Sequence, residues 1–68
     1  MRDWLLNERK ARGWTQQEVA NKLKISESYF AYIESGDRQK KMDIALAAKL
    51  SVIFDIPIET IIEMEKSV

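Results

Sequence analysis

Between Ser26 and Lys41 the chain gathers its most chemically suggestive side chains: Glu27, Ser28, Tyr29 and Tyr32 in one short polar stretch, then Arg38, Lys40 and Lys41 beyond Gly36. Carboxylate, hydroxyl and ammonium groups in that company offer hydrogen bonds and charge rather than reaction. Serines and carboxylates are present, but the chain has no histidine and no cysteine to activate them. It has no nucleophile elbow and no glycine-rich phosphate loop to organise them either. The same two absences remove disulfides, thiol chemistry and the commonest zinc ligands. An enzyme is therefore not expected, nor a metal or cofactor. What remains is binding: uncompensated Lys and Arg attract phosphate, while hydroxyl and carboxylate groups meet the edges of bases.

Charge qualifies that reading. Eleven Lys/Arg balance eleven Asp/Glu, with a pI near 6.2, so the chain as a whole has no surplus of cations for a nucleic acid. The distribution is uneven: residues 1–41 hold nine basic and six acidic side chains, and residues 42–68 hold two and five. The halves carry +3 and −3, which leaves one pole able to face phosphates.

These groups must be positioned by a single small domain, 1–68. At this size a chain buries only about 60% of the surface its unfolded form exposes, so it must be economical. Hydrophobic residues make up 46% and charged residues 32%, with only two Gly and one Pro; so few turn formers argue for an all-α chain. No apolar run approaches the roughly 20 residues of a membrane span, and charge returns too early at Glu8, Arg9 and Lys10 for a signal peptide. A cytoplasmic protein without a membrane partner is expected.

Five helices follow from periodicity and punctuation. Arg2 to Arg12, with Trp4, Leu5 and Ala11 as its apolar positions, forms helix 1 and stops at Gly13. Thr15-Gln16-Gln17-Glu18 is a capping-box signature, so helix 2 starts at Gln16 and buries Val19, Ala20 and Leu23. After a three-residue turn at Lys24-Ile25-Ser26, Ser26 caps a helix 3 of about eight residues with Phe30 and Ile33 as its stripe. Asp37 to Met42 reads as a polar, basic loop. Asp43 caps helix 4, carrying Ile44, Leu46, Ala47, Leu50, Ile53 and Phe54 to a stop near Asp55. Pro57 fits only a first turn, so Ile58, Ile61, Ile62 and Met64 belong to helix 5, which frays at Lys66-Ser67-Val68.

Two short helices joined by a three-residue turn cross steeply, and the crossing needs a small side chain on the first helix. Ala20 supplies it, inside a shell of Val19, Leu23, Ile25, Phe30 and Ile33. This is the spacing of a DNA-binding helix-turn-helix, although a plain αα-corner satisfies the same packing. The string Arg9...Gly13-Trp14-Thr15-Gln16-Gln17-Glu18-Val19-Ala20...Leu23...Ile25-Ser26-Glu27-Ser28-Tyr29-Phe30-Ala31-Tyr32-Ile33-Glu34-Ser35-Gly36-Asp37-Arg38 goes further. It resembles the phage Cro/repressor-type helix-turn-helix family, also called the xenobiotic-response-element family of bacterial regulators. Asp43...Ala47...Lys49-Leu50...Ile53-Phe54-Asp55-Ile56-Pro57-Ile58...Ile61-Ile62 is similar to that family's fourth and fifth helices. The resemblance implies an all-α, five-helix, lambda-repressor-like DNA-binding domain, usually a homodimer on an inverted-repeat operator. Lys24 stands where the family usually has glycine; in the left-handed conformation a lysine there costs roughly 1 kcal/mol.

The same resemblance assigns roles. Gln16 takes the place of a glutamine that contacts a backbone phosphate beside the free N–H groups of helix 2; its alternative is a solvated helix residue. Glu27 and Ser28 occupy the end of helix 3 that enters the major groove, with Ala31 and Tyr32 a turn later, and these four would read bases. Glu27 can accept from cytosine N4 while repelling phosphate, or can serve simply as a first-turn acid. Tyr32 would cover a thymine methyl, and Tyr29 either packs at the bundle edge or touches phosphate through its hydroxyl. Arg38, Lys40 and Lys41 are the natural phosphate clamps, unless the loop is merely solvated. Arg9 and Glu34 match a partly buried ion pair that holds helix 3 in place. Trp14 takes an apolar core position and Trp4 packs on the inner face of helix 1.

Helix 5 carries more apolar residues than one face against a small bundle absorbs, so Ile58, Ile61, Ile62 and Met64 are expected at a dimer interface. An intramolecular cap and a surface for a different protein are the alternatives. Two functions follow: a sequence-specific regulator of double-stranded DNA, acting as a dimeric repressor, or a protein-interaction module such as an antitoxin working through helix 5.

Overall fold

The computed structural model describes residues 2–36 and 42–66. They form α1 (Asp3–Ala11), α2 (Gln16–Leu23), α3 (Glu27–Ser35), α4 (Ile44–Phe54) and α5 (Ile58–Glu65), with no strand among the described residues. The expected all-α, five-helix architecture is the one observed.

Local chemistry sets the helix boundaries. At the start of α2 the Thr15 hydroxyl accepts from the Glu18 N–H at 3.1 Å, and the Glu18 carboxylate accepts from the Thr15 N–H at 2.9 Å. Ser26 caps α3 by accepting from the Tyr29 N–H at 3.1 Å, and Asp43 caps α4 by accepting from the Leu46 N–H at 2.7 Å. Each cap contributes about 1 kcal/mol. α3 ends on Gly36 at φ 68, where glycine carries no Cβ penalty, whereas α4 ends on Asp55 at φ 56.

α2 packs against both α3 and α4, α1 packs on α3, and α5 packs on α4. Each helix contributes to one core: Leu5 from α1, Val19, Ala20 and Leu23 from α2, Phe30 and Ile33 from α3, Leu46, Ala47, Leu50 and Phe54 from α4, and Ile61 from α5. Ala20 is completely buried, consistent with a small residue under the α2–α3 crossing.

Several expectations need correction. Helix 1 is shorter than Arg2–Arg12, and its Ala11 is exposed because the inward face of α1 is carried by Leu5. Trp14 is half-buried at the core's edge, stacked on Phe54 with ring centroids 5.5 Å apart. The largest change concerns helix 5. Ile61 is fully buried in the monomer's own core and so is not available to a dimer interface, while Ile58 and Met64 are half-buried against that core. Only Ile62 of the four is exposed, at 51%, because one residue along a helix is a rotation of about 100°.

Candidate nucleic-acid interface

The turn between α2 and α3 is built by the backbone. Lys24 adopts the left-handed conformation, φ 61 and ψ 42, as expected for the position where the resemblance calls for glycine. The Lys24 N–H donates to the Asn21 carbonyl at 3.2 Å and the Ile25 N–H to the Ala20 carbonyl at 3.0 Å, so the last carbonyls of α2 are satisfied. Ser26 then caps α3 within two residues. The angle between the two helices is thus held by hydrogen bonds as well as by the burial of Ala20, Phe30 and Ile33.

With Phe30 and Ile33 turned inward, α3 presents Glu27, Ser28, Tyr29 and Tyr32 to solvent and leaves Ala31 half-buried. Ser28, Ala31, Tyr32 and Ser35 share one face by their i, i+3, i+4, i+7 spacing. Tyr29 and Tyr32 are 43% and 38% exposed, large aromatic groups that the core does not claim. Arg38, Lys40 and Lys41 lie outside the described residues.

Glu34, nearly buried near the end of α3, joins three elements. One carboxylate oxygen accepts from Arg9 Nε at 2.8 Å; the other accepts from Arg9 Nη2 at 3.3 Å and from Gln16 Nε2 at 2.9 Å. Arg9 also donates from Nη1 to the Trp14 carbonyl at 2.9 Å. The expected Arg9–Glu34 pair is therefore present, with side chains 12% and 4% exposed, and Gln16 belongs to it. An amide nitrogen has two hydrogens. Gln16 commits one to Glu34, at the first residue of α2, and the second remains for another acceptor.

Three further residues tie the helices together through contacts that no local sequence pattern marks. Arg2 is fully buried: its Nε donates to both Glu65 oxygens at 3.1 and 2.9 Å, and its Nη1 donates to the Ile33 carbonyl at 2.7 Å. Its backbone N–H donates to the Glu34 carbonyl at 2.9 Å, so Arg2 caps the C-terminal turn of α3 and ties it to α5. Trp4 Nε1 donates to the same Glu65 at 2.7 Å. Arg12 pairs with Glu8 at 2.7 Å, donates to the Phe54 carbonyl at the end of α4, and lies 4.9 Å from the Phe54 ring centroid. Pairs 63 residues apart in sequence leave no local pattern; a basic residue beside a helix start is the only signal Arg2 offers.

These contacts revise the charge argument. Arg2, Arg9 and Arg12, three of the nine cations in residues 1–41, are spent on internal pairs with Glu65, Glu34 and Glu8. Arg2 and Glu65 neutralise one charge from each pole. The +3/−3 division overstates what is free for phosphate.

Comparison with known proteins agrees with this geometry. Residues 5–61 match the helix-turn-helix family, a span that begins and ends on Leu5 and Ile61, the first and last members of the buried core. An uncharacterized HTH-type transcriptional regulator of Bacillus subtilis (strain 168), YqaF, is 38% identical over 45 residues, which cover 66% of this chain and 59% of that protein. The chain thus spans less than two thirds of this relative's length. No solved structure matches the chain.

Proposed function

Since the chain belongs to the Cro/repressor-type helix-turn-helix family, we propose that it is a transcriptional repressor that binds an inverted-repeat operator in double-stranded DNA as a homodimer. α3 enters the major groove of each half-site, and the half-sites lie about one helical turn apart. The observation that carries this reading is the α3 face itself: Glu27, Ser28 and Tyr32 exposed on a helix whose two ends are fixed by Ser26 and by the Arg9–Glu34–Gln16 cluster. Reading groups held on a rigid element are what base discrimination requires.

In this reading Glu27, Ser28, Ala31 and Tyr32 meet base edges, while Gln16, Tyr29, Arg38, Lys40 and Lys41 meet phosphate. Gln16 suits its role because its remaining amide hydrogen sits at the positive end of α2. The exposed Ile62, with the edges of Ile58 and Met64, supplies the dimer contact.

Selection of preferred duplexes from a random pool, followed by titration at several salt concentrations, tests the proposal. A two-fold-related sequence should emerge, with affinity falling steeply as salt rises. Lys40→Ala with Lys41→Ala should weaken all duplexes about equally and reduce the salt slope by roughly one for each phosphate left unneutralised in each protomer. An affinity independent of salt and sequence would refute it.

A further inference from the structure

On the flank of the domain, between the C-terminal end of α2 and the outer face of α4, lies a shallow apolar groove bordered by lysines. Leu23 and Ile53 form its floor, and Ala48 and Val52 line the α4 bank, where Val52 is 79% exposed. Lys22 and Lys24 rise from the α2 bank and Lys49 from the α4 bank; no carboxylate among the described residues lines the groove.

The groove lysines differ from the arginines in and beside α1. Arg2, Arg9 and Arg12 each have a carboxylate partner, whereas Lys22, Lys24 and Lys49 have none among the described residues. Lys22 instead lies 4.6 Å from the centroid of the Trp14 ring. Lys24 moreover holds a left-handed backbone that glycine would adopt without a Cβ penalty, so its ammonium group is kept at a conformational cost.

We infer that this groove is a docking site for an acidic amphipathic helix of a partner protein, whose apolar stripe seats on Ala48, Val52 and Ile53 while its flanking carboxylates pair with Lys22, Lys24 and Lys49. Lysines stand on both banks, so the partner carries acids on both sides of its stripe. Apolar side chains at i, i+3, i+4 and i+7 supply the stripe itself. A nucleic-acid backbone would satisfy the ammonium groups and leave the apolar floor in contact with solvent; the combination of floor and rim selects the helix. The groove is separate from the outward face of α3, so docking is compatible with base reading.

The test is an amide-shift titration of the full chain with three synthetic amphipathic peptides of equal length. One has a leucine stripe flanked by glutamates, one the same stripe flanked by lysines, and one the glutamates with serine in place of leucine. The first should shift amides at 22–24 and 48–53. Reversal of Lys22→Glu with Lys49→Glu should weaken it about tenfold or more, since two pairs become repulsive, while the variant's spectrum stays dispersed. Equal binding of the lysine-flanked peptide, equal binding of the serine peptide, shifts confined to Met42, Ile44 and Ile62, or no shifts at all would each overturn the inference. So would the same shifts produced by random duplex DNA.

Discussion

Removing the Glu34 carboxylate should cost about as much stability as truncating a core side chain. Glu34 is 3% exposed and accepts three hydrogen bonds, two from Arg9 and one from Gln16. Glu34→Ala leaves the Arg9 guanidinium in place without its counter-charge. Breaking a buried pair by deleting one partner costs about 3–5 kcal/mol. Arg9 keeps the Trp14 carbonyl and is 12% exposed, so the lower end applies, about 3 kcal/mol. A domain of this size has roughly 5 kcal/mol in total, so the variant should retain about two fifths of its stability. With a urea slope of about 1 kcal/mol/M, the midpoint falls by about 3 M. Arg9→Met combined with Glu34→Leu removes both charges, and at least half of the loss should return, because the penalty lies in the orphaned guanidinium rather than in the missing attraction. A loss below about 1 kcal/mol for Glu34→Ala, or a double variant whose loss equals the sum of the two single losses, would refute the reasoning.

Lys24→Gly should raise stability by up to about 1 kcal/mol in urea titration, because the left-handed φ of 61 carries no Cβ penalty in glycine; the greater freedom of glycine when unfolded offsets part of that gain. Ile61→Ala should cost about 3 kcal/mol, as for other core truncations. Ile62→Ala should cost less than about 1 kcal/mol but lower the dimer fraction in sedimentation equilibrium. Unchanged self-association in the Ile62 variant would remove α5 from the dimer contact.

What the sequence made legible was mostly local. Thr15 with Glu18, Ser26 with Tyr29 and Asp43 with Leu46 each close within three residues, so residue types alone announce the start of α2, α3 and α4. The left-handed conformation of Lys24 was legible only through likeness to a family that usually has glycine at that position. Arg9 and Glu34, 25 apart, were legible only through likeness to a family. Arg2 and Glu65 were not legible at all, since chain-end charges read as solvated until the fold brings α3 and α5 together around them. Ile61 and Ile62 show a different limit. Counting apolar residues on α5 suggested a surplus for a partner, yet a single step of about 100° divides the core from the surface. Overall charge misled in the same way, because ion-pair geometry decides which cations remain outside.

Whether α3 reads sequence is tested most directly by the affinity ratio between the selected duplex and random duplex, for the native chain and for Ser28→Ala and Tyr32→Ala. Both side chains are exposed on the outward face of α3 and neither contributes to the core, so the variants should fold normally. Each should lose about 1–3 kcal/mol on the selected duplex and much less on random DNA, bringing the ratio down toward one. An unchanged ratio, with both duplexes weakened equally or neither weakened, would contradict base reading by α3.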